Sequence, residues 1–458
     1  MGKFSTYRYL ELKDDTSTPH INVRSRTIKQ PRRLKKIFIL LIIAALFVTY
    51  FLGLFAGQSQ WLDGIAKSLG YQSVNHYAVI IDAGSSGSRV LAYKFRVPFT
   101  VFGQANLDLV EEYFEQSKPG LSSYADDPAK GADTIVQLIK KAEFLIPAEK
   151  RRGTPLIVRA TAGLRLLPQE KAQALLVAVS KAIATLGYDV ASNGVEIMDG
   201  SDEGIFIWYT LNLLHNLMDG ETMAALDLGG GSTQITYQLG DGDAKSFPPN
   251  DQYVVPAGGN NITLYTHSYL NLGLLAARYG IFRMEANDNS TTEFTSVCVD
   301  PIVQKEPWTY GNKQYVISGA RRHGMKREAA FTLCHGAALR YLRAAMRPPP
   351  PPRGRVAAMS YYYDVAADAG IIDVMKGGTV SLSQYRSAAV RACSASNVEQ
   401  PWACIDLVYV LTLLHDGYNM SDNDPVSLFK KVNGHEVSWA LGLAYTTVMN
   451  RLAAPVAA

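Results

Sequence analysis

The chain has 458 residues, 47% of them hydrophobic and 19% charged, with a formal net charge of +4. That length supplies core for two or three domains, and the balance excludes a disordered or low-complexity protein. Residues 1–56 hold ten basic and three acidic side chains, net +7, so the remainder carries −3 and the basic excess calls for no nucleic-acid partner.

Ile37 to Ala56 is a run of 20 residues without a charge, the length of a helix that spans a bilayer core. It lacks a small-residue cleavage site, so the reading is an uncleaved signal anchor. Seven Lys or Arg lie between Arg24 and Lys36, and no charge follows the run until Asp63. Positive flanks stay cytosolic, which puts the long C-terminal part in a lumenal or extracellular compartment. The expected order is a basic cytosolic tail (1–36), a transmembrane anchor (37–56) and a stem (57–75), with ordered structure from His76.

The strongest signal is a repeated device. Ala78-Val79-Ile80-Ile81 reads as a buried strand and leads into Asp82-Ala83-Gly84-Ser85-Ser86-Gly87-Ser88, then a second strand from Val90 to Phe95. Met223-Ala224-Ala225-Leu226 does the same before Asp227-Leu228-Gly229-Gly230-Gly231-Ser232-Thr233 and a strand from Gln234 to Leu239. Glycines bring backbone amides close to a ligand, and successive amides form an anion-binding concavity. The aspartate at each strand end offers the hard oxygen that hydrated Mg²⁺ or Ca²⁺ prefers. Two such loops facing each other would clamp a phosphate chain. Neither is a Walker loop, because Gly-Lys-Ser/Thr is missing and a strand follows instead of a helix.

Between the copies, Pro128 to Phe144 has a helical pattern, Leu156-Ile157-Val158 a strand pattern, and Pro168 opens a helix to about Leu186. Val195 to Met198 reads as a short strand, followed by Asp199 to Gly204 and an apolar helix from Ile205 to Leu217. Glu203 stands at the start of that helix, where the dipole favours an ionised carboxylate able to deprotonate a water. Pro348 to Pro352 reads as an exposed polyproline excursion. Strands alternating with helices in two repeated halves predict an α/β protein of two lobes, 76–222 and 223–435, around a cleft; a C-terminal segment of about 436–458 returns to the first lobe.

All four cysteines lie on the non-cytosolic side, which suggests two disulfides, and adjacent pairing, Cys298–Cys334 and Cys393–Cys404, is the simplest of three connectivities. Sequons at Asn261, Asn289 and Asn419 agree with that orientation. His215, His267 and His415 show no ligand spacing and read as structural, and Trp208 and Trp439 as packing residues.

Taken in order, Val79 to Phe95, Ile157 to Leu167, Met198 to Asn212, Ala224 to Tyr237 and Val437 to Gly442 resemble the five signature regions of the apyrases, nucleoside tri- and diphosphate phosphohydrolases. The resemblance covers roughly residues 76–450. It implies two RNase-H-like lobes of the actin/Hsp70/hexokinase superfold with the active site in the interlobe cleft. By resemblance, Asp82 and Asp227 hold the divalent cation, Ca²⁺ or Mg²⁺, mainly through water. Ser85, Ser86, Gly87, Ser88 and Arg89, with Gly229, Gly230, Gly231 and Ser232, contact phosphates. Glu203 is the catalytic base, and Thr161 and Gln234 surround the metal waters and the attacking water. Tyr361-Tyr362-Tyr363 falls where the family stacks the base, which implies Tyr362 and Tyr363. Leu164 departs from the common Met of its region, a volume-conserving change.

Arg89, four cysteines and a single anchor look like the Golgi and secretory-pathway members. They imply a lumenal, type II enzyme that hydrolyses UDP and GDP to the monophosphate and supports glycosylation, with no obligate protein partner; a secreted form stays open. The rival enzymes are a broad-specificity apyrase acting on triphosphates and an exopolyphosphatase-like phosphohydrolase. A non-hydrolysing actin- or chaperone-like nucleotide switch is the rival from another class, and Glu203 speaks against it.

Overall fold

The computed structural model describes residues 32–55, 68–69, 74–97 and 107–453, apart from 241, 258, 289, 312, 322–328 and 397. Most of the expected cytosolic tail and stem, and the sequon asparagine Asn289, lie outside the described residues. The chain divides into two compact units, Met1–Leu69 and Gly70–Ala458.

The first unit contains the helix α1 (Arg32–Phe55), whose side chains from Ile37 to Phe51 are exposed apart from the half-buried Tyr50. Over the described residues no helix is long and apolar enough to cross a membrane, and the side chains of α1 are described only from Lys36 to Phe51.

The second unit is built on two sheets with one plan. In the first, β1 (Asn75–Ala83), β2 (Ser88–Arg96), β3 (Asp108–Ser117), β4 (Leu156–Ala160) and β5 (Val195–Ile197) take the order β3-β2-β1-β4-β5. β1, β2 and β3 are antiparallel neighbours, while β4 and β5 run parallel to β1. The second sheet repeats this with β6 (Ala224–Leu228), β7 (Ser232–Gln238), β9 (Asn260–Leu270), β13 (Val356–Ser360) and β15 (Pro425–Leu428). Edge strands β8 (Gln252–Ala257) and β14 (Gly378–Ser381) complete the order β14-β15-β13-β6-β7-β9-β8. Three further strands, β10 (Glu293–Ser296), β11 (Glu306–Tyr310) and β12 (Lys313–Gly319), form a small separate sheet. The change expected near residue 222 is thus a change of sheet within one unit.

The helices form where the sequence provides caps. α2 (Pro128–Ala142) starts with Pro128 at its first position and the Asp127 side chain accepting from the Lys130 amide at 3.2 Å. After the single turn α3 (Ala162–Arg165), α4 (Gln169–Ile183) follows Pro168. α5 spans Gly200–Leu214, earlier at both ends than the sequence pattern predicts. Asp199 caps it through the Ser201 amide at 2.8 Å, and Asn216, at φ +55°, ends it. Glu203 is consequently inside the first helical turn. In the second half come α6 (Leu274–Glu285), α7 (Ala329–Ala345), α8 (Tyr361–Asp368), α9 (Leu382–Ser394), α10 (Ala403–Thr412) and α11 (Trp439–Ala453).

One apolar cluster joins both sheets: Ile80 and Leu91 from the first, Ala225 and Met359 from the second, with Ile205 and Trp208 of α5 and Leu441 of α11. α11 also packs on β1, so the chain end returns to the first sheet. α5 and α11 approach almost to backbone contact, and a Cβ on Gly442 would stand 2.2 Å from the Phe206 carbonyl. The Thr210 hydroxyl seals the crossing, donating to Ser438 O at 2.7 Å and accepting from the Gly442 amide at 2.8 Å.

Both adjacent disulfides are present, Cys298–Cys334 and Cys393–Cys404. The proline run is docked rather than free. Tyr237 Oη donates to Pro350 O at 2.9 Å, Asn419 Nδ2 to Pro349 O at 3.0 Å, and Pro349 is buried.

Gly442→Ala should lower stability by about 1–3 kcal/mol, the usual cost of overpacking a tight crossing. Urea unfolding checks this, and an unchanged midpoint would show that the α5–α11 contact is not close.

Candidate active site

The two glycine loops end up face to face. A Cβ on Gly230 would come 2.8 Å from Ser85 Oγ, and one on Gly231 would come 2.9 Å from Ala162 Cβ. Each loop is the turn of an antiparallel hairpin, and the register places Asp82 opposite Arg89 in one and Asp227 opposite Gln234 in the other. The second loop is held from behind by α6, whose first amides lack partners within the helix. Those of Leu274 and Ala276 donate to the Gly229 and Gly230 carbonyls at 2.9 and 3.0 Å. With the carbonyls so engaged, the loop amides can turn the other way. Among the described residues, nothing accepts from the amides of Ser85, Ser86, Gly230 or Gly231.

Between the loops lies a cavity of about 380 Å³. Asp82, Gly84, Ser85, Ser86 and Arg89 line it from the first sheet, and Asp227, Gly229 and Gly230 from the second. Thr161 and Glu203 complete this end. The rest of the lining consists of Phe114, Gln116 and Lys118 of β3 and its end, Ile207 of α5, Tyr361, Tyr363 and Asp364 of α8 with the preceding Ser360, and the segments Phe429–Lys430 and Glu436–Trp439. Trp439 is therefore both a packing residue and part of the wall. Gly87, Ser88, Gly231 and Ser232 do not line the cavity. Ser88 is buried, and the Ser232 hydroxyl accepts from Gln234 Nε2 at 2.9 Å.

Three buried carboxylates meet here. Asp82 Oδ2 accepts from Arg89 Nη1 at 2.9 Å, while its Oδ1 is buried with no partner among the described residues. Asp227 Oδ1 accepts from the Ser360 hydroxyl at 2.6 Å. Burial raises the pKa of both, and the charge of Asp82 raises that of Asp227 further, against the opposing pull of Ser360 and Arg89. Two buried acids lining one hydrophilic cavity suit a hard, hydrated cation. Among the described residues no group of three or more His, Cys, Asp or Glu could hold a metal ion.

Glu203 is ion-paired with Arg165 and accepts from Gln234 Nε2 at 3.2 Å. Burial, first, then the charges of Asp227 and Asp82, push its carboxyl up to about 7 despite Arg165. A carboxyl poised near neutrality is suited to general-base work. Thr161 starts the turn that carries Arg165, and its amide donates to Ala83 O at 3.3 Å.

One expectation needs correction. Tyr362 does not reach the cavity. It is fully buried, and its hydroxyl lies 3.4 Å from Thr233 Oγ1 behind the second loop. Tyr361 takes its place beside Tyr363, whose hydroxyl donates to Val374 O at 2.6 Å. Ser360, Lys118 and Lys430 have no motif to announce them, and the pairing of Arg165 with Glu203 is equally silent in the sequence. The histidines are structural: His267 meets Asp251 at 2.9 Å, and His215 packs against Phe429.

This two-sheet α/β fold resembles that of a solved nucleoside triphosphate hydrolase from Neospora caninum. The TM-score is 0.60 over 88% of this chain and 97% of that one, at 14% identity, a likeness of fold alone. The chain belongs to the GDA1/CD39 (nucleoside phosphatase) family, which it matches over residues 69–352 and 354–454. It is similar to nucleoside-diphosphatase uda-1 of Caenorhabditis elegans, 34% identical over 84% of this chain and 85% of the relative. It is also similar to the human nucleoside diphosphate phosphatase ENTPD5, 38% identical over 85% of this chain and 92% of the relative. The protein is a hydrolase of phosphoric anhydrides.

Glu203→Gln should lower kcat about 10²- to 10⁴-fold, the span of a lost general base, and should abolish the rise of native kcat with pH through about 7. Because folding favours the protonated carboxyl, its stabilising contribution is complete below the ordinary pKa of 4.5 and is lost as pH rises through about 7. Neutral glutamine should therefore melt no lower than native at pH 8, and this advantage should shrink at pH 5. Near-native turnover would remove Glu203 from the chemistry. Gly230→Val pushes the loops apart and should cost about 10²-fold in kcat/KM, as misplacement of reacting groups does; unchanged kinetics would mean the loops act separately.

Proposed function

We propose that the chain hydrolyses the terminal phosphate of nucleoside diphosphates such as UDP and GDP, with a divalent cation, Ca²⁺ or Mg²⁺, in the lumen of the secretory pathway. The observation that carries the reading is the convergence of Glu203 with both glycine loops on one cavity.

Chemically, the loop amides and the hydroxyls of Ser85 and Ser86 would receive the phosphate oxygens, and their fixed dipoles would stabilise charge on the equatorial oxygens in the transition state. Gln234 holds Glu203, and Arg165 keeps its carboxylate from turning away. Glu203 takes a proton from a water aligned with the scissile bond, the new P–O bond forms, and the nucleoside monophosphate departs. Asp82 and Asp227 would hold the cation through water, and when bound it would supply positive charge along the bridging and terminal oxygens. Tyr361 and Tyr363 present aromatic surface to the base, and stacking is tolerant of base identity.

The preference for diphosphates rests on two relatives whose names describe diphosphate hydrolysis and on Arg89. That side chain is committed to Asp82 in the cavity wall, and an arginine at this place of the loop resembles the secretory-pathway members of the family. The lumenal assignment rests on the two disulfides, the exposed sequon asparagines Asn261 and Asn419, and α1 with its basic leading flank and exposed apolar side chains. A Golgi or endoplasmic-reticulum membrane, with the N-terminus cytosolic, is the compartment this combination fits.

Phosphate release measured with UDP, GDP, ATP and polyphosphate, with and without chelator, tests the reading. UDP and GDP should be cleaved faster than ATP, polyphosphate should be inert, and chelation should stop turnover until Mg²⁺ or Ca²⁺ is restored. Faster cleavage of ATP would make the protein a broad apyrase, and turnover in chelator would exclude the cation.

A further inference from the structure

Ser360 belongs to none of the sequence motifs, yet it stands in the cavity wall. It ends β13, which runs parallel to β6 with Met359 opposite Asp227 and Ser360 opposite Leu228. Its backbone has φ +58° and ψ −126°, a conformation that a residue with a Cβ enters only with strain and glycine enters freely. What the serine adds is its hydroxyl, which donates to Asp227 Oδ1 at 2.6 Å. In the other loop Arg89 does the corresponding service for Asp82, holding Oδ2 at 2.9 Å. Both aspartates thus have one oxygen pinned by a protein donor. A carboxylate pinned at one oxygen cannot turn about its last bond, so the second oxygen points to a fixed place.

We propose that Ser360 is a positioning residue: its strained hydroxyl fixes the rotation of the Asp227 carboxylate and so aims the other oxygen at the water shell of a divalent cation. This rests on the cation reading given under the proposed function. The strain identifies the device, since a glycine would satisfy the turn but leave the carboxylate free to swing. Donors behind metal-binding groups commonly set affinity through orientation of this kind.

The test is Mg²⁺ binding by calorimetry on the full-length protein without nucleotide, beside thermal melting. Ser360→Gly should melt at or above the native temperature, because the strain is gone, and yet bind Mg²⁺ about tenfold more weakly, the lower end of the usual loss for such partners. Ser360→Ala should bind as weakly and melt below Ser360→Gly. The Mg²⁺ concentration for half-maximal phosphate release should rise in both, while the KM for UDP at saturating Mg²⁺ stays near native. Asp227→Asn, run in parallel, separates the two levels of the argument. Native Mg²⁺ affinity in Asp227→Asn, or no binding by the native chain, overturns the cation reading and this proposal with it. Weak binding by Asp227→Asn with native affinity in both Ser360 variants overturns the role of Ser360 alone.

Discussion

Asp82, Asp227 and Glu203 are buried in one crevice, and the second compact unit is organised around keeping three acids there. Removal from water favours the neutral form of each acid, the charge of Asp82 disfavours ionisation of Asp227, and both disfavour that of Glu203. The structure answers with a dedicated donor for every one: Arg89 for Asp82, Ser360 for Asp227, Arg165 and Gln234 for Glu203. Arg89, Lys118 and Lys430 of the lining, with Arg165 behind Glu203, face five acids, Asp82, Asp227, Glu203, Asp364 and Glu436, and Asp82 Oδ1 has no partner among the described residues. A site left short of positive charge in this way is ready for a cation and a phosphate to arrive together.

The two hairpins begin as the same object and are used differently. Arg89 and Gln234 occupy the same register position, each opposite its aspartate. Arginine turns inward to its own strand end and neutralises it. Glutamine reaches across to Glu203 and belongs to the end where water is activated. Repetition provides two amide-lined turns at matched height, and divergence at one position divides the labour between them. The crossing of α5 and α11, sealed by Thr210 and Gly442, keeps Glu203 at a fixed distance from both.

The repeated loops, the strands that carry them and the helix behind Glu203 are legible in the sequence because their signals are local: an apolar run, a glycine turn, a cap. The adjacent disulfides were equally accessible, since they close short intervals. What escapes sequence reasoning lies far apart in the chain. Ser360 meets Asp227 only because β13 pairs with β6, and Lys118 and Lys430, distant in the chain, line the same cavity. Three consecutive tyrosines hold no periodic clue to which ring faces outward, and the choice of Tyr362 failed for that reason. The proline run is exposed at Pro348, Pro350 and Pro351 and joins no helix or strand, as its composition predicts, while its carbonyls accept from Tyr237 and Asn419.

A crystal structure with Mg²⁺ and a non-hydrolysable imidodiphosphate analogue of UDP tests the central claim most directly. The terminal phosphorus should lie between the Ser85 and Gly230 turns, with the cation near Asp82 and Asp227 and an ordered water between that phosphorus and Glu203. A diphosphate bound to one loop alone, or with Glu203 facing away from its terminal phosphorus, would contradict it.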